Sequence, residues 1–274
     1  MDESLLEMRL ARESDLPQLE EISRNTWDGD DYLARVAPDW IREGGFYVAA
    51  VGDRVAGCAR LAMMPASVIW LEGLRVHPEL RGRGYGKALS RFVLSEARRL
   101  VSEGAGKHVE FSTYYRNSES IGITTAEGFE VVERFSLIWK ERPVKGEGPV
   151  RIPFASDELD CYPVHIPHGW RLPIDSPEAR AWLAARCSAW EHRGARFYHR
   201  EGAWDFALFS SGLADPEAAA EGIERVAAAL GMDDGFEVIL PEQPEAALQA
   251  FLGRGFGYWE EPHEPNMLVF RLRT

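Results

Sequence analysis

The stretch Leu71-Glu-Gly-Leu-Arg-Val-His-Pro-Glu-Leu-Arg-Gly-Arg-Gly-Tyr-Gly-Lys-Ala-Leu89 joins a carboxylate, Glu72, to a turn rich in glycine and arginine, Arg81-Gly82-Arg83-Gly84-Tyr85-Gly86. Glycines at such a turn permit positive φ and let backbone N–H groups approach an anion closely. A helix starting directly after them adds partial positive charge. In outline this is a diphosphate cradle, although a plain glycine turn between a strand and a helix has the same spacing. The turn has no Gly-Lys-Ser/Thr and lacks the G-x-G-x-x-G spacing, which excludes both common nucleotide loops. Other groups carry weaker signals. His77 beside Pro78 reads as structural. His165-x-x-His168 has no third ligand nearby in sequence, so no metal is expected. Cys58, Cys161 and Cys187 form no C-x-x-C and read as small apolar residues.

The elements that must position this turn follow from periodicity. Glu7 to Glu13 alternates like a half-buried strand, and Ser14-Asp15 offers a helix cap before Leu16, Leu19 and Ile22. Phe46 to Val51 and Val55 to Met63 read as a hairpin closed by Gly52-Asp53-Arg54, and Val68 to Val76 as a third strand. Ala88, Leu89, Phe92, Val93, Ala97 and Leu100 share one face of a helix running to Val101. A strand at Val109 to Thr113, a helix at Ser118 to Glu127 and a strand at Glu130 to Lys140 complete the first unit.

From Glu141 to Pro153 the chain is rich in Pro, Gly and charge, as linkers are, and the boundary is set near residue 148. Beyond it the order repeats with a period near 127. Phe197 to His199 and Trp204 to Phe209 echo the hairpin, and Pro216 to Leu230 takes the place of the Lys87 helix. Phe236 to Phe256 echoes Val109 to Phe129 when Gly255-Phe256 is laid on Gly128-Phe129. So long a period suits two copies of one domain.

The 274 residues are 45% hydrophobic and carry a net charge of -13, which suits a globular protein and disfavours nucleic acid as a partner. The acidic N-terminus lacks the basic start of a signal peptide, and no apolar run approaches the ~20 residues needed to span a bilayer. A cytoplasmic protein without membrane partners is expected.

The R-G-x-G-x-G loop preceded by Val76-x-Pro78 resembles that of the GNAT superfamily of acyl-CoA-dependent N-acetyltransferases, and the likeness covers about residues 7–140. The resemblance implies an α/β (α+β) fold, here two tandem GNAT-like domains at 1–148 and 149–274, each a mixed central sheet flanked by helices. It also implies acetyl-CoA as co-substrate, with a central strand splayed from its neighbour so that the pantetheine arm pairs with exposed backbone. Carried over residue by residue, it makes Leu74, Arg75 and Val76 backbone partners of the coenzyme. Arg81, Gly82, Arg83, Gly84, Gly86 and Lys87 become its diphosphate site, and Asn117 an assisting residue.

Acyl transfer to an amine needs a proton acceptor and a means of stabilising the thiolate that leaves. Glu72 is the candidate base, placed by strand periodicity on the face of Leu74 and Val76; an ordinary strand carboxylate is the other reading. The family's acidic Tyr is replaced by Thr124, whose hydroxyl is far less acidic. Tyr115, with Tyr114 beside it, is the candidate substitute, and packing is the plainer role for both. The acids of Trp27-Asp28-Gly29-Asp30-Asp31-Tyr32 would suit a cationic acceptor or a solvated loop.

In the second half the matching loop, Ser210 to Pro216, has one glycine, no arginine and an acid, Asp215, at the helix start. That half is expected to have kept the fold and lost the coenzyme site. Two readings stand: an N-acetyltransferase acting by direct attack on a primary amine of a small molecule, amino acid or peptide, and a non-catalytic acyl-CoA-binding sensor or scaffold. A monomer or homodimer is expected in either case.

Overall fold

The hairpin read at Gly52-Asp53-Arg54 forms: β2 (Phe46–Val51) and β3 (Arg54–Met64) run antiparallel, with β1 (Leu6–Leu10) outside β2 and β4 (Val68–Val76) outside β3. The structure is a computed structural model that describes residues 6–26, 29, 31–261 and 265–273. It is a mixed α/β structure whose contacts divide it after Phe111 into two compact units.

In the first unit the strands lie in the order β1-β2-β3-β4-β5, and β5 (His108–Tyr114) is parallel to β4. Parallel neighbours need a crossover, and α3 (Tyr85–Ser102) supplies it, burying Leu89, Val93, Leu94 and Ala97. Helices α1 (Leu16–Arg24) and α2 (Leu33–Glu43) put Leu19, Ile22, Leu33, Ala37 and Trp40 into a core with Phe46, Val48, Val55 and Cys58. Full burial of such apolar side chains contributes about 1.5–3 kcal/mol each. One local expectation is corrected. The alternation to Glu13 stops at Leu10, because Asp15 accepts from the Arg12 backbone N–H at 2.8 Å and from Arg9 at 2.7 and 2.8 Å. Asp15 thus pins a tight turn at Glu13–Asp15, and its side chain does not cap α1.

The second unit, Ser112–Arg273, orders its strands β12-β6-β11-β10-β9-β8-β7. These are β6 (Phe129–Lys140), β7 (Val150–Ile152), β8 (Cys187–His192), β9 (Ala195–Arg200), β10 (Asp205–Leu208), β11 (Phe236–Pro241) and β12 (Met267–Leu272). Helices α4 (Ser118–Ala126), α5 (Pro177–Ala184), α6 (Ser210–Ala214), α7 (Pro216–Ala229) and α8 (Glu245–Gly253) complete it. Its core gathers Phe197, Phe206, Leu208, Ile223, Val238 and Phe251. Here β6 pairs antiparallel with β11 on one edge and with β12 on the other. The strand expected straight after Gly255-Phe256 begins only at Met267.

Candidate functional site

The end of β4 leads through a short turn at Pro78–Leu80 into the glycine loop and then α3. Gly84 caps α3 in the left-handed region at φ 85°, where a side chain would be strained. Ala88 N–H closes the first helical bond on the Gly84 carbonyl at 3.0 Å, so the amides just before it have no bond of the helix's own. No side chain caps this end and no acid lies in its first turn. Arg81, Gly82, Arg83, Gly84 and Lys87 are exposed around it. The helix start is therefore an open cluster of N–H donors ringed by cations, a site for an anion. The matching place in the second unit is filled by the protein's own acids. Asp215 accepts from Ala218 N–H at 3.2 Å, and Glu158 accepts from Ser211 N–H at 3.1 Å.

Two irregularities shape β4. Its registered ladder with β5 runs from Val68↔His108 to Trp70↔Glu110, while its other edge stays paired with β3 as far as Val76. The β5 side of Leu71 to Val76 is thus not part of that ladder. On the β3 side, Glu72 faces Arg60 but Arg75 faces Cys58, so β4 holds one residue more than its partner there. Gly73, at φ 71°, lies in that bulge, and a Cβ on it would come within 2.5 Å of the Trp40 ring. Directly paired residues share a face of the sheet, and Arg60 and Cys58 are two apart on β3. Glu72 and Arg75 therefore share a face. The expectation that Glu72 shares one with Leu74 and Val76 is corrected: strict alternation fails across a bulge.

That face is a charged and aromatic cluster. Arg60 Nη1 donates to Glu72 Oε1 at 3.3 Å, and the Glu72 side chain is 11% exposed. Arg75 grips Asp31 with two bonds, Nε to Oδ2 at 3.0 Å and Nη2 to Oδ1 at 3.1 Å, the Asp31 side chain being fully buried. The Arg75 guanidinium lies 5.4 Å over the Tyr32 ring, and Tyr32 meets Trp40 edge to face. Burial pushes the Tyr32 phenol up, with the charges of Glu72 and Asp31 adding to it and Arg75 opposing. Arg60 was missed by sequence reasoning, since only the register across β3 and β4 reveals its place opposite Glu72. Of the acceptor-loop residues, Trp27, Asp28 and Asp30 lie outside the described residues.

The remaining candidates belong to the second unit. The Asn117 side chain caps α4, its Oδ1 accepting from Ser120 N–H at 3.3 Å and its Nδ2 donating to Thr113 Oγ1 at 3.0 Å. Thr124 Oγ1 donates to the Ser120 carbonyl at 2.7 Å, which commits that hydroxyl to its own helix. The Tyr115 backbone N–H donates to the Asn266 carbonyl at 2.9 Å, while its hydroxyl is buried without a hydrogen-bond partner among the described residues. An orphaned buried hydroxyl of this kind needs a reason. Tyr114 packs edge to face on it at 5.0 Å.

His77, 4% exposed, accepts from Glu79 N–H at 3.3 Å, which holds the turn before the loop. His165 Nδ1 meets Glu133 at 2.5 Å, and His168 meets Trp182 edge to face at 4.5 Å. Among the described residues no group of three or more His, Cys, Asp or Glu could hold a metal. Burial pushes the thiols of Cys58 and Cys187 up to about 12 and that of Cys161 to about 11, away from reactive thiolate.

Residues 14–129 match the sequence model of the acetyltransferase (GNAT) family. No curated protein matches the chain. Among solved structures, a candidate acetyltransferase from Pyrococcus horikoshii aligns with a TM-score of 0.67 at 16% identity, covering 100% of this chain and 91% of its own. One from Thermoplasma acidophilum scores 0.63 at 20% identity, covering 98% and 100%. A GCN5-related N-acetyltransferase from Sphaerobacter thermophilus scores 0.61 at 15%, covering 97% and 94%. At these identities the likeness establishes the fold, and it extends along both halves of the chain.

Proposed function

We propose, from the match of residues 14–129 to the acetyltransferase (GNAT) family model, that this protein transfers the acetyl group of acetyl-CoA to a primary amine of a small molecule, amino acid or peptide by direct attack. One observation carries the reading: the uncapped, glycine-led N-terminus of α3, ringed by Arg81, Arg83 and Lys87. It fits a diphosphate in charge, in donors and in the open space beside Gly82. Arg81, Gly82, Arg83, Gly84, Gly86 and Lys87 would hold that group, and the main chain of Leu74, Arg75 and Val76 the pantetheine arm, with Asn117 assisting. When bound, acetyl-CoA supplies an acyl group activated as a thioester. Glu72 accepts the ammonium proton, directly or through water. The Leu74 amide polarises the acyl carbonyl, a contribution of a few kcal/mol for one well-aimed donor. Tyr115 protonates the departing sulfur, a role Thr124 cannot take with its hydroxyl committed to Ser120.

Residues 1–148 form the transferring part in this reading, and 149–274 a GNAT-like half without a coenzyme site. Asp215 and Glu158, at the start of the helices there, support the absence of that site. Among the described residues no helix is long and apolar enough to cross a membrane; a cytoplasmic protein, monomeric or homodimeric, without nucleic-acid partners, completes the proposal.

A sensor or scaffold that binds acyl-CoA without turnover is favoured by one feature, the engagement of Glu72 by Arg60. Release of free thiol from acetyl-CoA in the presence of amines separates the two. The transferase reading expects release that Glu72→Gln slows at nearly unchanged coenzyme affinity. Binding without release from any amine would leave the sensor.

A further inference from the structure

Arg60 stands directly across from Glu72 in the β3–β4 register, and its side chain is 6% exposed. Its guanidinium is forked: Nη1 donates to Glu72 at 3.3 Å and Nη2 to Glu43 at 2.5 Å. It also lies 5.1 Å over the Trp40 ring. Its Nε, however, is buried without a partner among the described residues. A buried guanidinium with one N–H unpaired is costly, and apolar residues of like volume are often as stabilising or more so. Stability alone is a poor reason for an arginine here.

The bulge at Gly73 offers another. It brings Glu72 and Arg75 onto one face, where both Asp31 oxygens already engage Arg75. Glu72 then meets the cation that β3 presents. We propose that Arg60 is a positioning residue for Glu72, fixing the carboxylate's direction for proton transfer. It would not act mainly as a tether of α2 through Glu43. The inference rests on the transferase reading above.

The test combines thiol release from acetyl-CoA with calorimetry of coenzyme A binding. The amines are spermidine, L-lysine, 2-phenylethylamine and a tripeptide beginning with alanine. Losing a hydrogen bond to a charged group predicts that Arg60→Met lowers kcat by about 10- to 100-fold. Coenzyme affinity is expected to stay within about twofold, because Arg60 is not part of the proposed coenzyme site. In a Glu72→Gln background Arg60→Met should cost nothing further, since the two act as one unit. Arg60→Lys should recover part of the rate and keeps the test informative if Arg60→Met folds poorly. Glu43→Gln, which spares the bond to Glu72, should cost far less than Arg60→Met. Additive losses in the double variant overturn the inference, as does a Glu43→Gln loss equal to that of Arg60→Met, which would make Arg60 a tether. In both cases the wild type still turns over, so the transferase reading survives. A wild type that binds coenzyme A but releases thiol with none of these amines overturns both together.

Discussion

Replacing Gly73 by alanine attacks the bulge that turns Glu72 and Arg75 to one face. Gly73 has φ 71°, and its new Cβ would lie 2.5 Å from Cζ3 and 2.8 Å from Cη2 of Trp40. Left-handed backbone costs a non-glycine residue about 1–2 kcal/mol. Trp40 is 4% exposed and packed against Phe46 and Tyr32, so its ring cannot swing out freely. Forcing a methyl into such packing costs about 1–3 kcal/mol. The sum, about 2–5 kcal/mol, corresponds to a fall in melting temperature of about 5–15 °C for a protein of this size. Urea unfolding followed by tryptophan fluorescence measures it, and the displaced Trp40 should alter the native spectrum as well. If the β4 strand shifts to regular alternation, Glu72 leaves Arg60 and thiol release falls more than stability alone explains. A variant within about 0.5 kcal/mol of wild type, an ordinary surface effect, with unchanged spectrum and turnover, would refute the bulge as the device that aims Glu72.

Tyr115→Phe removes a buried hydroxyl that has no hydrogen-bond partner among the described residues. It should stabilise the protein by up to about 1 kcal/mol, as removal of an unsatisfied buried polar group does. Thiol release should nevertheless slow; unchanged release would take Tyr115 out of the mechanism. Burial, with Asp205 adding its charge and Arg200 opposing, pushes the Glu237 carboxyl up to about 7. A raised folded value means that the stability it contributes is full below the ordinary value of 4.5 and is lost as pH rises through 7. Glu237→Gln should therefore be more stable than wild type at pH 8, by up to about 2–3 kcal/mol, and the advantage should shrink toward pH 5. Equal gains at both pH values would contradict it. Burial, helped by Arg200, Arg171 and Arg186, pulls His168 down to about 3, so its contribution has the opposite sign, present above 6.5 and lost as pH falls toward 3. Melting curves of His168→Gln from pH 7 to pH 4 should lose less stability than wild type; parallel curves would count against this reading.

Much of the first unit could be read from its residues. The bounds of β2 and β4 coincide with their apolar runs, and the glycine loop leads into α3 as its spacing implies. What escaped were features that depend on contact across elements. Nothing local distinguishes Gly73 as a bulge from a glycine in regular strand; the Trp40 ring, 33 positions earlier, makes the difference. Asp31 looked like one acid in an acidic loop, yet it is bound by two nitrogens of Arg75. Asp15 looked like a helix cap and instead serves Arg9 and Arg12. The repeat laid a strand directly after Gly255-Phe256, while the strand that pairs with β6 begins at Met267. Pairing partners far apart in the chain decided that, and local alternation carries no trace of them.

Titrating coenzyme A into the wild-type protein and into a variant with Arg81 and Arg83 both changed to alanine, by calorimetry, reaches the foundation most directly. Saturable binding to the wild type, weakened by about tenfold or more in the variant from lost contacts to the charged diphosphate, is the predicted result. No heat with the wild type, or equal affinity for both proteins, would contradict an anion cradle at the start of α3.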